Sequence, residues 1–133
     1  MRAIAKGSFS VETRPLEEAH DSQGVSLGRL SLDKQFEGDL TGMGRGQMLT
    51  ALTPVKGSAG YVAIERVTGT LAGRSGSFVL QHAGTMDAAG QRLSITVVPA
   101  SGTGELSGLS GSLAIRIAEG RHFYELDYSL PSP

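Results

Sequence analysis

The stretch Tyr61-Val-Ala-Ile-Glu-Arg-Val-Thr-Gly-Thr-Leu-Ala-Gly-Arg-Ser-Gly-Ser-Phe-Val-Leu-Gln-His82 decides the fold. It reads as two strands joined by Gly73-Arg74-Ser75-Gly76, because glycine supplies the positive φ that a tight hairpin turn demands. A two-residue loop at Arg74-Ser75 places Leu71 opposite Phe78 and Val67 opposite His82. Side chains alternate along a strand, so Tyr61, Ala63, Glu65, Val67, Leu71, Phe78, Leu80 and His82 share one face. That face is the larger and more apolar, and it is predicted to look inward, taking Glu65 and His82 with it. The pair then sits diagonally across the two strands, within reach of each other or of one shared ligand.

The same alternation extends outward from the hairpin. Ala3, Ala5, Gly7, Phe9 and Val11 predict a first strand with one buried face. Residues 14–24, punctuated by Pro15 and Gly24, read as a polar loop with at most one helical turn, and His20 within it is expected to be solvated. Leu30, Leu32, Lys34 and Phe36 line one side of a second strand. Gly38, Gly42, Gly44 and Gly46 leave one face of a third strand bare, which suits sharp curvature or close approach by another backbone. Ala83 to Gln91 reads as a Gly-rich polar loop. Strands around Leu93–Pro99, Leu113–Ile117 and His122–Leu130 complete a count of eight, with a loose tail at 131–133.

A corner repeats along the chain. Gly69-Thr-Leu-Ala-Gly-Arg-Ser-Gly-Ser-Phe78 recurs as Gly104-Glu-Leu-Ser-Gly-Leu-Ser-Gly-Ser-Leu113, and Gly38-Asp-Leu-Thr-Gly42 is a truncated copy. Each copy ends a strand with a leucine that plugs the interior, and glycines then reverse the chain. Eight short strands without a helical period predict an all-β single domain over 1–133, an eight-stranded antiparallel barrel able to hold side chains or one small ligand.

The run Pro99-Ala-Ser-Gly-Thr-Gly-Glu-Leu-Ser-Gly-Leu-Ser-Gly111, followed by an apolar strand and a Tyr-rich last strand, resembles the allene oxide cyclase-like barrels. In those, a Gly-x-Gly-x-Phe-x-Gly-x-x-Gly corner precedes the last two strands, and dirigent proteins carry a similar one; here Leu106 replaces the Phe. Lys34 to Leu130 also resembles an uncharacterised bacterial family assigned to that superfamily. Phe36-Glu-Gly-Asp-Leu, Gly60-Tyr-Val-Ala-Ile-Glu65, Gly73-Arg-Ser-Gly-Ser-Phe-Val-Leu-Gln-His82 and Ser101-Gly-Thr-Gly-Glu-Leu106 carry that likeness. The resemblance implies the barrel, and allene oxide cyclases bind an unstable fatty-acid epoxide inside it and steer its cyclisation.

Composition narrows the partners. A formal net charge of −1 gives no electrostatic reason for nucleic acid or an anionic membrane. With no cysteine there is neither a disulfide framework nor a thiolate site. The start, Met-Arg-Ala-Ile-Ala-Lys-Gly-Ser, lacks an apolar core of signal-peptide length, so a cytoplasmic protein is expected. Val62, Ile64 and Val79 make the outward face of the hairpin more apolar than solvation requires, which predicts a homo-oligomer, dimer or trimer.

Glu65 and His82 are the sharpest candidates, as general acid and base or as a polar anchor in an apolar cavity. Against this stands a buried ion pair that only satisfies its own polar groups. Lys34, a charge on an apolar face, is expected to snorkel to the rim or to pair with an interior acid such as Glu65. Tyr61, His122 and Tyr124 complete the ligand-binding set: with Tyr128 they could line a cavity mouth and stack a flat ligand, while singly each reads as core packing. His82, His122 and Glu65 are metal-ligand types, but nothing in their spacing demands a metal. No metal, cofactor or catalytic residue is assigned. Gly102-Thr-Gly104 lacks the Lys-Ser/Thr and the helix of a phosphate loop, and Gly73-Arg-Ser-Gly-Ser77 lacks a nucleophile elbow. Three readings follow: a barrel binding a small hydrophobic ligand, an isomerase or cyclase acting on one, and a structural barrel filled by its own side chains.

Overall fold

The alternating stretches form nine strands in the computed structural model, which describes residues 1–131. In chain order they are β1 (Arg2–Pro15), β2 (His20–Ser22), β3 (Val25–Gly38), β4 (Leu40–Leu52), β5 (Ala59–Leu71), β6 (Arg74–Asp87) and β7 (Gly90–Val97). A 3-10 turn at Gly104–Leu106 precedes β8 (Ser110–Ala118) and β9 (Arg121–Ser129). Neighbours pair antiparallel in the order β1-β9-β8-β7-β6-β5-β4-β3, and β1 pairs back onto β3 from Gly7–Gly38 to Pro15–Leu30. The sheet therefore closes as an eight-stranded antiparallel barrel, with β2 a short extra strand laid along β3. Closure gives each of the eight main strands a neighbour on both sides, although β7 and β8 share only the pair Thr96–Ser112 in the described ladder.

The central hairpin turns two residues earlier than expected. Leu71 pairs with Arg74, and the loop is Ala72-Gly73, with φ of 48° and 86°. Positive φ at both central residues defines the turn whose twist matches two antiparallel strands. Ala72 is held in this costly conformation by donating its N–H to the Asp39 carbonyl at 2.9 Å. Val67 consequently faces Phe78 rather than His82. The slip along β6 is even, so every residue keeps its expected side of the sheet. Gly76, read as part of the turn, answers a different need: a Cβ there would strike the Thr103 carbonyl.

Two expected loops are largely strand. Residues 20–27 form a small hairpin, with Gln23-Gly24 as its turn and exposed His20 opposite Leu27. Ala83 to Asp87 continue β6, Gly90 and Gln91 open β7, and only Ala88-Ala89 turn between them. Residues 85–94 are all exposed, so the segment shows no buried alternation and its composition resembles that of a loop. Of the expected tail, Pro131 lies against Gly108, while residues 132–133 lie outside the described residues.

The barrel is packed at one end. Leu40, Leu71 and Leu106, one from each copy of the repeated corner, are completely buried, together with Phe78, Leu80 and Leu126. The segment after β7 folds along β6, where the Thr103 amide donates to the Ser77 carbonyl and the Val79 amide donates to Ser101 Oγ. It brings Leu106 and Leu109 into the core as a plug. At this scale each buried leucine is worth about 1.5–3 kcal/mol relative to exposure. Val62 and Ile64 on the outer wall are exposed, beside exposed Leu49 on β4, and Val79 is half-buried. No helix of the described residues is long and apolar enough to cross a membrane.

Candidate functional site

The alternation of β5 and β6 carries Glu65 and His82 to the interior, where both are buried. Glu65 lies opposite Leu80 and His82 opposite Ala63, so the two meet on the diagonal, with His82 Nε2 2.9 Å from Glu65 Oε1. Lys34, inward on β3, reaches the same oxygen at 3.1 Å. It does not snorkel, since only 5% of it is exposed. Its ammonium lies 4.9 Å from the Phe9 ring centroid and 5.8 Å from that of Phe36, which offsets part of the cost of removing the charge from water.

The bare face of β4 explains how this cluster fits. Gly44 lies opposite Lys34 on one side and Val67 on the other, and a Cβ at Gly44 would fall on Glu65 Oε2. Gly46 lies opposite Glu65, where a Cβ would strike the Ile64 carbonyl. The glycines thus admit a carboxylate and a close backbone to the interior. Glu65 Oε2 has no hydrogen-bond partner in the described structure, while Oε1 receives both neighbours.

Burial pushes the Glu65 carboxyl up, but the hydrogen bond from His82 and the charge of Lys34 outweigh it, and the net shift is downward. Glu65 is therefore an ionised acceptor, and the hydrogen on His82 belongs on Nε2. His82 Nδ1 faces the Tyr61 hydroxyl at 3.2 Å. Burial, with the negative charge of Glu65, raises the pKa of Tyr61. The result is a continuous chain from Tyr61 through His82 and Glu65 to Lys34.

Three of these four groups face a cavity of about 600 Å³ that occupies the barrel end opposite the leucine plug. Lys34, His82 and Tyr61 line it and Glu65 stands behind them. Val11, Leu32, Met48, Leu52, Ile115 and Ile117 supply apolar wall. His122 also lines the cavity, half-buried, its ring 5.2 Å from that of Phe9. Tyr124 is placed elsewhere. It is buried in the core against Phe36, accepts from the Leu40 amide at 2.8 Å, and its own hydroxyl lies 3.0 Å from the Glu37 carbonyl. Its oxygen is spent on backbone, so it lines no cavity mouth. Arg92 at the rim was not singled out from sequence; it falls between the expected loop ending at Gln91 and the expected strand starting at Leu93. Among the described residues no three His, Asp or Glu side chains are grouped to hold a metal, and His122 does not join Glu65 and His82.

The family described as "Protein of unknown function (DUF3224)" matches residues 5–128. The chain is also similar to a protein of unknown function from the DUF3224 family of Shewanella oneidensis MR-1, known from its crystal structure. The two are 50% identical, cover 100% of each other and superpose with a TM-score of 0.94. None of the curated proteins searched matches.

Proposed function

The chain belongs to the DUF3224 family of proteins of unknown function, and we propose that its barrel binds a small, largely apolar molecule with one polar end. The observation that carries this reading is the position of the polar cluster. Lys34, His82 and Tyr61 form the floor of an apolar cavity of about 600 Å³, a volume typical of small-molecule sites. A cluster serving stability alone would gain from being closed over by packed side chains, since well-packed apolar residues replace buried ion pairs at little or no loss. The finer likeness to the allene oxide cyclase-like barrels belongs to the same proposal. Its support is the Gly-rich corner with its buried leucine and the similarly placed last strand.

The test uses N-phenyl-1-naphthylamine, a neutral probe whose fluorescence rises in apolar surroundings. Met48 is half-buried on the cavity wall, and Met48→Trp adds an indole to that space. The wild-type protein is expected to enhance the probe's emission, and Met48→Trp to weaken binding at least about tenfold, which is about 1.4 kcal/mol. Equal binding by both proteins places the probe on the outer apolar surface and removes the cavity reading.

A further inference from the structure

We propose that the cavity takes up an apolar weak acid, a phenol or an enol, and holds it as the oxyanion with its proton stored on His82. The inference rests on the cavity-binding reading above and adds the chemistry of the ligand's polar end.

The direction of the hydrogen bonds carries it. An ionised Glu65 can only accept, so Nε2 of His82 carries the hydrogen between them, and in the neutral form of the ring that leaves Nδ1 bare. His82 Nδ1 is then an acceptor, and the Tyr61 hydroxyl 3.2 Å away donates to it. Tyr61 therefore presents lone pairs to the cavity and receives a ligand O–H. Lys34 spends one N–H on Glu65, and the rest of its ammonium group lies at the cavity floor. Among the described residues no Asp or Glu lines the cavity, and Glu65, behind its floor, is neutralised by Lys34.

The proton transfer balances within the site. The ligand O–H bond breaks as its proton passes to the Tyr61 oxygen. The Tyr61 O–H bond breaks as its own proton passes to His82 Nδ1, and the phenol of Tyr61 is thereby re-formed. The electron pair stays on the ligand oxygen, now an oxyanion facing the Tyr61 hydroxyl and the Lys34 ammonium. Before transfer the site holds Lys34⁺ and Glu65⁻; afterwards it holds Lys34⁺, His82⁺, Glu65⁻ and the ligand anion. The total is zero in both states, so no net charge is added to the interior. Of the groups facing His82, Glu65 on β5 favours an imidazolium, Lys34 on β3 opposes it across the shared Oε1, and Tyr61 on β5 and Ile95 on β7 are uncharged.

The test compares 4-nitrophenol, whose phenolate has its own absorption band, with 4-nitroanisole, which has the same body and no acidic proton. At about one pH unit below the phenol's own pKa, bound 4-nitrophenol is expected to show the phenolate band and to bind at least about tenfold more tightly than 4-nitroanisole. Tyr61→Phe and His82→Gln, each checked for folding by its melting transition, are expected to lose the band. Binding of both compounds with 4-nitrophenol un-ionised overturns the proton-storage inference and leaves the cavity reading standing. A phenolate band that persists in both variants also overturns it. Binding of neither compound overturns both readings.

Discussion

Glu65 is the residue on which the interior turns, because it is fully buried, ionised and shared by two partners through one oxygen. Removing one member of such a pair strands the other charge, so Glu65→Gln and Lys34→Met are each expected to cost about 3–5 kcal/mol of unfolding free energy. The double variant Lys34→Met/Glu65→Gln leaves no stranded charge and is expected to be more stable than either single variant. Urea unfolding of the four proteins measures the coupling, and additive losses would mean that the two charges do not act as a pair. The pH dependence follows from the lowered pKa of Glu65. A carboxyl that is more acidic when folded contributes stability in full above its unfolded value, near 4.5, and loses it as pH falls through the lower folded value. The stability gap between wild type and Glu65→Gln is therefore expected to be constant near neutrality and to shrink below about pH 4.5. A gap that widens on acidification contradicts the assignment. The inward side of Glu65 and His82 was legible from alternation alone. Their contact and the pairing of Lys34 with Glu65 were readable only as one alternative each, since alternation gives a side and no distance.

Among the elements, β4 shows how a strand can be shaped by a neighbour's side chain. Gly42, Gly44 and Gly46 were readable as its bare face, whereas Gly38, expected with them, ends β3 opposite Gly7; sequence could not say what fills that face. The structure puts Glu65 Oε2 and the edge of Phe36 in front of Gly44. Gly44→Ala is expected to cost about 1–3 kcal/mol by overpacking. In contrast, Gly60→Ala on β5 meets only ordinary contacts, the nearest being the Gly84 carbonyl at 3.6 Å, and is expected to be neutral or slightly stabilising. Thermal melts that rank the two variants the other way would refute this account of the glycine face. On β9, Tyr124 shows the opposite failure of legibility. An inward tyrosine on a Tyr-rich strand reads equally as cavity wall or core, and the absence of a Cβ at Gly7 and Gly38 is what admits its hydroxyl to the β3–β4 corner. Tyr124→Phe removes the acceptor of the buried Leu40 amide, with an expected loss of about 1–3 kcal/mol and no effect on probe binding in the cavity.

The whole barrel is divided along its axis and uneven around its circumference. Leucines of the repeated corner close one end, while the cavity and its charged floor occupy the other. The strand count and the repeat made the closed, plugged end legible, because both are statements about pattern. The hollow end was not, because it depends on how far opposite side chains reach. Around the circumference β4 pairs with β5 from Leu40–Leu71 to Leu52–Ala59, whereas the described ladder between β7 and β8 is the single pair Thr96–Ser112. Leu93 of β7 and Ile115 and Ile117 of β8 line the cavity on either side of that weak seam. Local opening follows the weakest pairing, so amides along β7 and the β7-facing edge of β8 are expected to exchange hydrogen well before those of β4 and β5. A ligand that binds only the closed barrel raises the free energy of opening by an amount set by its concentration relative to Kd. Saturating N-phenyl-1-naphthylamine is therefore expected to slow exchange in residues 90–97 and 110–118 more than in residues 59–71. Hydrogen exchange read by mass spectrometry measures all three segments in one experiment. Protection that is uniform around the barrel, or unchanged at the seam when the probe binds, would show that the wall beside the cavity is as firmly held as the rest.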